Sequence, residues 1–126
     1  MSAPHPTEGE LALLRVLWSR PGPMTVREVH EEIRRTKETA YTTVLKMLTI
    51  MADKGLVRRN ETERTHTYVP VHAEVVVQSS LLKDLVQRAF AGSAFKLVQR
   101  ALDDDTATSE ELEAISRMIA RAKAKR

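Results

Sequence analysis

TAYTTVLKMLTIMADKGLV, residues 39–57, is the stretch that decides the fold. Thr39 is a residue type that caps helices and Lys54-Gly55 is a typical helix end, so a helix is predicted over 40–54. One side of this helix repeats apolar residues at the spacing of a buried stripe. The stripe consists of Val44, Leu45, Leu48, Met51 and Ala52.

The opposite side of the same helix carries short hydroxyls and one lysine. Its members are Thr42, Thr43, Lys46, Thr49 and Asp53. Such a face is typical of a helix that lies in the major groove of DNA, where hydroxyls reach bases or phosphates and lysine reaches guanine or phosphate. A solvated helix face without a partner is the alternative, and the helix alone does not separate the two.

The residues after this helix predict a basic β-hairpin, with strands at 56–59 and 65–69 around a polar turn. Pro70 is expected to end the pairing because it has no N–H to donate. A helix followed at once by a hairpin is the layout of a winged helix-turn-helix. Arg58, Arg59 and Arg64 are then placed to lie along a phosphate backbone, although a hairpin of this kind can also be a plain surface loop.

Two capping boxes predict two helices ahead of the hydroxyl-bearing one. The first begins at Thr7, runs over about 8–19 and buries Leu11, Leu14, Leu17 and Trp18. The second begins at Thr25, runs to about Arg34 and buries Val26, Val29 and Ile33. Three helices and then a hairpin is the winged-helix order, so residues 1–72 are expected to form a DNA-binding domain and the fold class to be mainly α.

Beyond Pro70 the pattern is helical, with a long helix over 73–90, a short helix capped by Ser93 and a last helix opened by a capping box at Thr108. Their apolar stripes lack partners within the segment, and the same helix on a second copy is the simplest partner. Residues 73–126 are therefore expected to form a helical dimerisation domain. The residues expected between subunits are Leu82, Leu85, Val86, Leu112, Ile115 and Ile119.

Composition and charge narrow the function. The net charge is +3, and residues 34–64 hold eight Lys/Arg against four Asp/Glu, so the positive excess falls on the predicted DNA-binding helix and wing. The chain has no cysteine, and its four histidines have no ligand spacing, so no metal and no cofactor are expected and an enzyme is disfavoured. The absence of a signal peptide pattern and of a membrane-length apolar run predicts a cytoplasmic protein.

The stretch AYTTVLKMLTIMADKGLVRR at 40–59, together with LLRVLW in the first helix and TVREVHEEI in the second, resembles the penicillinase-repressor (BlaI/MecI/CopY) family of winged-helix transcriptional regulators. The tail from Phe90 to Ile119 resembles the C-terminal segment of that family, so the resemblance covers residues 7–122. Members commonly have threonine where this chain has Lys46 and arginine where it has Ile50. The resemblance therefore does not fix the base preference of this chain.

The resemblance implies a homodimeric repressor that binds dyad operators in double-stranded DNA, often with TACA/TGTA half-sites, and it adds Tyr41 to the expected DNA contacts. In β-lactam-responsive members a protease cuts the C-terminal segment, and the matching bond here is near Arg100-Ala101. The expected derepression is proteolysis or loss of dimerisation, and a membrane-bound zinc peptidase sensor is a further partner that the resemblance allows. A winged-helix protein-interaction module that does not bind DNA stays the alternative.

Overall fold

A computed structural model describes residues 5–126, which form six helices and three short strands. In chain order they are α1 (Glu8–Trp18), β1 (Met24–Thr25), α2 (Val26–Ile33), α3 (Tyr41–Asp53), β2 (Val57–Asn60), β3 (Thr67–Pro70), α4 (Glu74–Ala89), α5 (Ala94–Asp103) and α6 (Ser109–Ala124). The mainly α class, with three helices and a hairpin ahead of a helical C-terminal segment, is confirmed.

Local hydrogen bonds explain where most helices begin. The predicted capping boxes at Thr7, Thr25 and Thr108 are all formed, and the Ser93 hydroxyl accepts from the Lys96 N–H at the start of α5. The predicted cap at Thr39 was wrong. Ala40 is the N-cap residue of α3, while the Thr39 hydroxyl donates to the Lys37 carbonyl at 3.0 Å.

The end of α3 turns the chain into the hairpin. The N–H groups of Gly55 and Leu56 donate to the carbonyls of Ala52 and Met51, at 3.1 and 2.9 Å. This is the Schellman arrangement, and it needs a residue in the left-handed region at Gly55, whose φ is +81°. Glycine takes that conformation without strain, so the β2 strand can begin at Val57 directly after the helix.

The strands form an antiparallel sheet in the order β1-β3-β2. β1 has only two residues, too few for a sequence pattern, and it was not predicted. Pro70 was expected to stop the pairing, yet it is the last residue of β3 and lies opposite Val57. Its missing N–H is tolerated because β1 pairs only with Thr67 and Tyr68, so β1 does not extend to Pro70.

One hydrophobic core joins α1, α2, α3 and the sheet. Its buried members are Leu13, Leu14, Leu17, Met24, Val26, Val29, Val44, Leu48, Met51, Leu56, Val57 and Tyr68. The predicted stripes were partly wrong, since Leu45 is 41% exposed and Leu11 is only half-buried, whereas Leu13 is buried. Periodicity gives the spacing of a stripe, but the direction in which it faces is set by the neighbouring elements.

One charged side chain, that of Glu10, is buried among the described residues. Glu10 is 6% exposed, and its carboxylate oxygens accept hydrogen bonds from the Lys54 ammonium at 2.8 and 2.9 Å. Glu10 also accepts from the Thr7 N–H at 2.9 Å, so one carboxylate closes the start of α1 and holds the C-cap of α3. Burial alone would raise the pKa of Glu10, but the bonds from Lys54 and Thr7 outweigh it and lower the pKa from its ordinary 4.5.

The chain divides into two compact units between Leu82 and Lys83, which lies within α4. In the first unit the Trp18 indole N–H donates to the His72 carbonyl at 3.0 Å, and Val77 of α4 is buried. In residues 83–126 no side chain is buried. A boundary between functional domains at residue 72 stays a prediction.

Glu10→Gln should lower the free energy of unfolding by about 1–3 kcal/mol near neutral pH, because a buried charge-assisted bond is lost. The half-exposed Lys54 keeps the loss below that of a fully buried pair. Since the folded pKa of Glu10 lies below 4.5, its contribution is present above that pH and disappears as pH falls through the lowered value. Urea unfolding followed by the fluorescence of Trp18, the single tryptophan, measures this.

Glu31→Gln is the matched control, because Glu31 is an exposed residue of α2 and forms no ion pair among the described residues. Its unfolding curve should equal that of the parent. The gap between Glu10→Gln and the parent should narrow as pH drops below 4.5. Equal stability of Glu10→Gln and the parent at neutral pH would contradict a stabilising pair.

Candidate nucleic-acid interface

The face of α3 that turns away from the core is polar over its first two turns. Thr42, Thr43 and Lys46 are exposed, as their sequence pattern predicted, and Tyr41 is exposed as well. Thr49 differs, because it is half-buried and its hydroxyl donates to the Leu45 carbonyl at 2.8 Å. With its proton engaged, the Thr49 oxygen can only accept a hydrogen bond from a partner.

The turn before α3 is fixed by His30 of α2. Nε2 of His30 lies 2.7 Å from the Thr39 carbonyl oxygen, which only accepts, so this nitrogen carries the proton. The imidazole also meets the Tyr41 ring edge to face, with centroids 5.7 Å apart and planes at 81°. His30 therefore orients both the start of α3 and Tyr41, a positioning role that its sequence spacing did not indicate.

The wing is the β-hairpin of β2, β3 and the turn between them, residues 57–70. A groove of about 290 Å³ separates it from α3 and from the start of α2. The groove is lined by Thr25, Val26, Arg27, Tyr41, Leu45, Arg64, Thr65, His66 and Tyr68. Two arginines and a histidine therefore line one cleft beside the exposed face of α3, a concentration of donors suited to an anion.

Sequence reasoning missed two of these residues, Arg27 and His66. A signal for Arg27 was present, because it lies in the first turn of α2, where the helix dipole disfavours a cation. A cation at that position is better explained by an anionic partner than by its own helix. His66 lies on the turn side of β3, and only the position of the wing brings it to the groove.

The cations of this region differ in their pairing. In the part of the chain that the structure describes, Arg27, Lys46, Arg58 and Arg64 form no ion pair. Each of these four side chains belongs to an exposed residue. They are available to an outside anion without breaking an internal contact.

Arg59 is engaged within the protein. Its Nε lies 2.9 Å from a Glu61 carboxylate oxygen, and it lies opposite the buried Tyr68 in the register of the sheet. The interaction with the Tyr68 hydroxyl, and then the charge of Glu61, raise the pKa of Arg59. Arg59 thus lies on the core side of the hairpin, while its neighbour Arg58 faces outward. Successive strand residues lie on alternate faces, so these two arginines point in opposite directions. The sequence-based prediction had given both the same role.

Three helices, a small antiparallel sheet with a basic wing, and an exposed polar face on the third helix define a winged helix-turn-helix protein. The family model of the penicillinase repressors matches residues 6–121, and the chain belongs to that family. The resemblance seen in the sequence is therefore confirmed, as is the prediction that the chain is not an enzyme, since the relatives are transcriptional regulators.

Two curated relatives, from strains CDC 1551 / Oshkosh and ATCC 25618 / H37Rv of Mycobacterium tuberculosis, are each named transcriptional regulator BlaI. Both are 40% identical to this chain over 80 residues, a match that covers 64% of this chain and 58% of the relative. The chain thus spans just over half the length of the curated relatives that it matches.

Two solved structures share the fold. One is a solution structure of the DNA-binding domain of the repressor BlaI, with a TM-score of 0.50. The other is the monomeric form of Bacillus licheniformis BlaI in complex with the blaP half-operator, with a TM-score of 0.51. Each is 25% identical to this chain, and each match covers 59% of this chain and 90% of the solved one.

Within residues 5–126, no three histidine, aspartate or glutamate side chains come together as metal ligands. None of the helices in that range has the length and apolar character needed to cross a bilayer.

Arg59→Ala should lower the free energy of unfolding relative to the parent, because the Tyr68 hydroxyl and Glu61 lose a charged partner. Arg64→Ala should leave it unchanged within about 0.5 kcal/mol, since Arg64 is exposed and unpaired among the described residues. Urea titration followed by Trp18 fluorescence compares the two variants directly. Equal stability of the two would show that Arg59 has no structural role.

Proposed function

We propose that the chain is a homodimeric transcriptional repressor that binds a dyad operator in duplex DNA through α3 and the wing. The observation that carries this proposal is the set of exposed cations beside the polar face of α3 that form no ion pair among residues 5–126, among them Lys46, Arg27 and Arg64. Cations without internal partners suit a polyanion, because each phosphate contact releases condensed counterions. The shared fold of the solved BlaI with its half-operator adds support.

Side chains on α3 are proposed to read bases, because the major groove admits an α-helix. Thr42, Thr43 and Lys46 are exposed in its first half, where their side chains can reach base edges. Tyr41 is held at the N-terminal edge by His30. Thr49 can contribute only a hydrogen-bond acceptor, because its hydroxyl already donates to the Leu45 carbonyl.

The groove between α3 and the wing is proposed to hold the phosphate backbone. Arg27 approaches from α2, and Arg64 and His66 approach from the wing, so one strand would be held from two sides. Arg58 faces outward from β2 and can meet a neighbouring phosphate. Arg59 is assigned a lesser part than the sequence suggested, because Glu61 and Tyr68 occupy it.

The second copy is proposed to pack on the C-terminal helices. Four of the predicted interface residues are large apolar side chains that are about half exposed: Leu82 (50%), Leu85 (48%), Leu112 (44%) and Ile119 (48%). Val86 and Ile115 are half-buried. Apolar exposure on this scale is typical of a surface that another chain covers.

Loss of that partner is the proposed route to derepression. Two half-sites held together bind with a far higher effective concentration than either alone. A cut near Arg100-Ala101, within α5, would separate α6 from the rest of the chain. The resemblance to β-lactam-responsive regulators makes a membrane-bound zinc peptidase the proposed source of such a cut.

Thr42→Ala should weaken binding to a selected operator duplex by about 1–3 kcal/mol and leave binding to random duplex unchanged, because a base contact carries sequence information. Arg64→Ala should weaken both alike and flatten the slope of log affinity against log salt by roughly one, because a phosphate contact carries none. Fluorescence anisotropy at several salt concentrations measures both. The operator duplex is obtained beforehand by selection from a random library.

Arg117→Ala is the control for the loss of one positive charge. Arg117 is an exposed residue of α6, and it lies outside both the apolar stripe of that helix and the proposed DNA-binding surface. It should change neither affinity nor slope. A parent protein that ignores every duplex would instead support a winged-helix module that binds other proteins. An Arg64→Ala effect confined to the operator would mean that the wing reads bases.

Ile119→Glu should convert the dimer into a monomer at micromolar concentration, because it places a charge in the proposed apolar interface. Operator affinity should fall by orders of magnitude, although every proposed DNA contact remains. Sedimentation velocity gives the assembly state, anisotropy gives the affinity and circular dichroism checks that the helices persist. Arg117→Glu places a carboxylate at an exposed position on the opposite side of α6 and should stay dimeric.

A fragment ending at Arg100 tests the same interface without a new charge. It should sediment as a monomer and release the operator. A fragment that stays dimeric and bound would show that α6 has no part in assembly, and it would contradict derepression by cleavage at this bond.

A further inference from the structure

Ile50 is an aliphatic residue on the polar face of α3. Its side chain is 42% exposed, and it lies outside the buried core. It follows Thr43 by seven residues and Lys46 by four, so the three side chains share one ridge of the helix. A base-reading ridge of α3 therefore ends in a side chain that cannot form a hydrogen bond.

Leu45 offers a close comparison on the same helix. It is 41% exposed, almost the same fraction as Ile50, and its side chain is an isomer of isoleucine. Leu45 lies on the other flank, where it lines the groove to the wing together with Tyr41 and His66. The position of Leu45 is thus explained by that groove, whereas that of Ile50 is not.

The chemistry of the major groove restricts what Ile50 can meet there. Base edges in this groove present hydrogen-bond donors and acceptors, and the C5-methyl of thymine is their one apolar group. An aliphatic side chain placed against the polar edge of another base would remove water from it without replacing the hydrogen bonds. Against a thymine methyl the same side chain buries apolar surface on both partners.

We propose that Ile50 is a specificity residue that selects thymine in each half-site through contact with its C5-methyl group. This inference rests on the proposed binding of duplex DNA by α3. The charge near Ile50 supports DNA as the partner of this face. Lys46 lies one turn away on the same ridge, has no ion pair within the described part of the chain and attracts the phosphate backbone.

The spacing along the helix places the thymine relative to the other contacts. Thr43 and Ile50 are two turns apart, roughly 10 Å along the axis of α3. The thymine is thus expected at a base pair other than the one that Thr43 reads.

The test replaces thymine by deoxyuridine, one position at a time, in the duplex selected by the parent chain. Deoxyuridine keeps every hydrogen-bonding group of thymine and lacks only the methyl. At the position that Ile50 reads, the parent should lose about fourfold in affinity, the equivalent of ~0.8 kcal/mol for one buried methyl group. Anisotropy titration with the full chain gives this ratio.

Three variants identify the side chain responsible. In Ile50→Ala the affinity for the thymine duplex should fall, and the ratio between thymine and deoxyuridine should approach one. Ile50→Val should keep most of the ratio, because it retains a branched apolar group. In Leu45→Ala the ratio should equal that of the parent, even if overall affinity drops.

The outcomes separate this inference from the function beneath it. Binding to the selected duplex with no sensitivity to deoxyuridine at any position would overturn the role of Ile50 and leave DNA binding standing. If the affinity ratio between thymine and deoxyuridine disappeared in Leu45→Ala and persisted in Ile50→Ala, Leu45 rather than Ile50 would make the methyl contact. Failure of the parent to bind any duplex would remove the proposed function itself.

Discussion

The ion pair between Glu10 and Lys54 is the constraint on which the DNA-binding unit depends. Both carboxylate oxygens accept from one ammonium, at 2.8 and 2.9 Å, across a sequence separation of 44 residues. Glu10 also completes the capping box of α1, while Lys54 is the C-cap residue of α3. A single buried carboxylate therefore fixes the start of one helix against the end of another, and with it the direction in which α3 presents its polar face.

The wing follows from that fixed end. Gly55 takes a positive φ directly after Lys54, and two Schellman hydrogen bonds fix the short connection between α3 and β2. The hairpin thus lies beside α3, with Arg64 and His66 across a narrow groove from the start of α2. At the other end of α3, His30 holds Thr39 and Tyr41. The helix is anchored at both ends, and the face between the anchors is left free for a partner.

Local rules predicted much of this arrangement, and their failures share one cause. Capping boxes need only residues three apart, so the starts of α1, α2 and α6 could be predicted. The exposure of Leu45 depends on where the wing lies, and the difference between Arg59 and Arg64 depends on strand register, which reverses faces with a shift of one residue. Both are tertiary facts. The polar face of α3 was predictable in the sequence because helical periodicity alone separates Thr42 and Lys46 from the core.

The central claim is that α3 and the wing form the surface that meets duplex DNA. Amide NMR spectra of the full chain, titrated with the selected duplex, test it most directly. The largest shift changes are predicted over residues 41–50, at Arg27 and across the turn of the wing at 61–66. Shift changes confined to residues 83–126, with 41–50 unaffected, would contradict the claim.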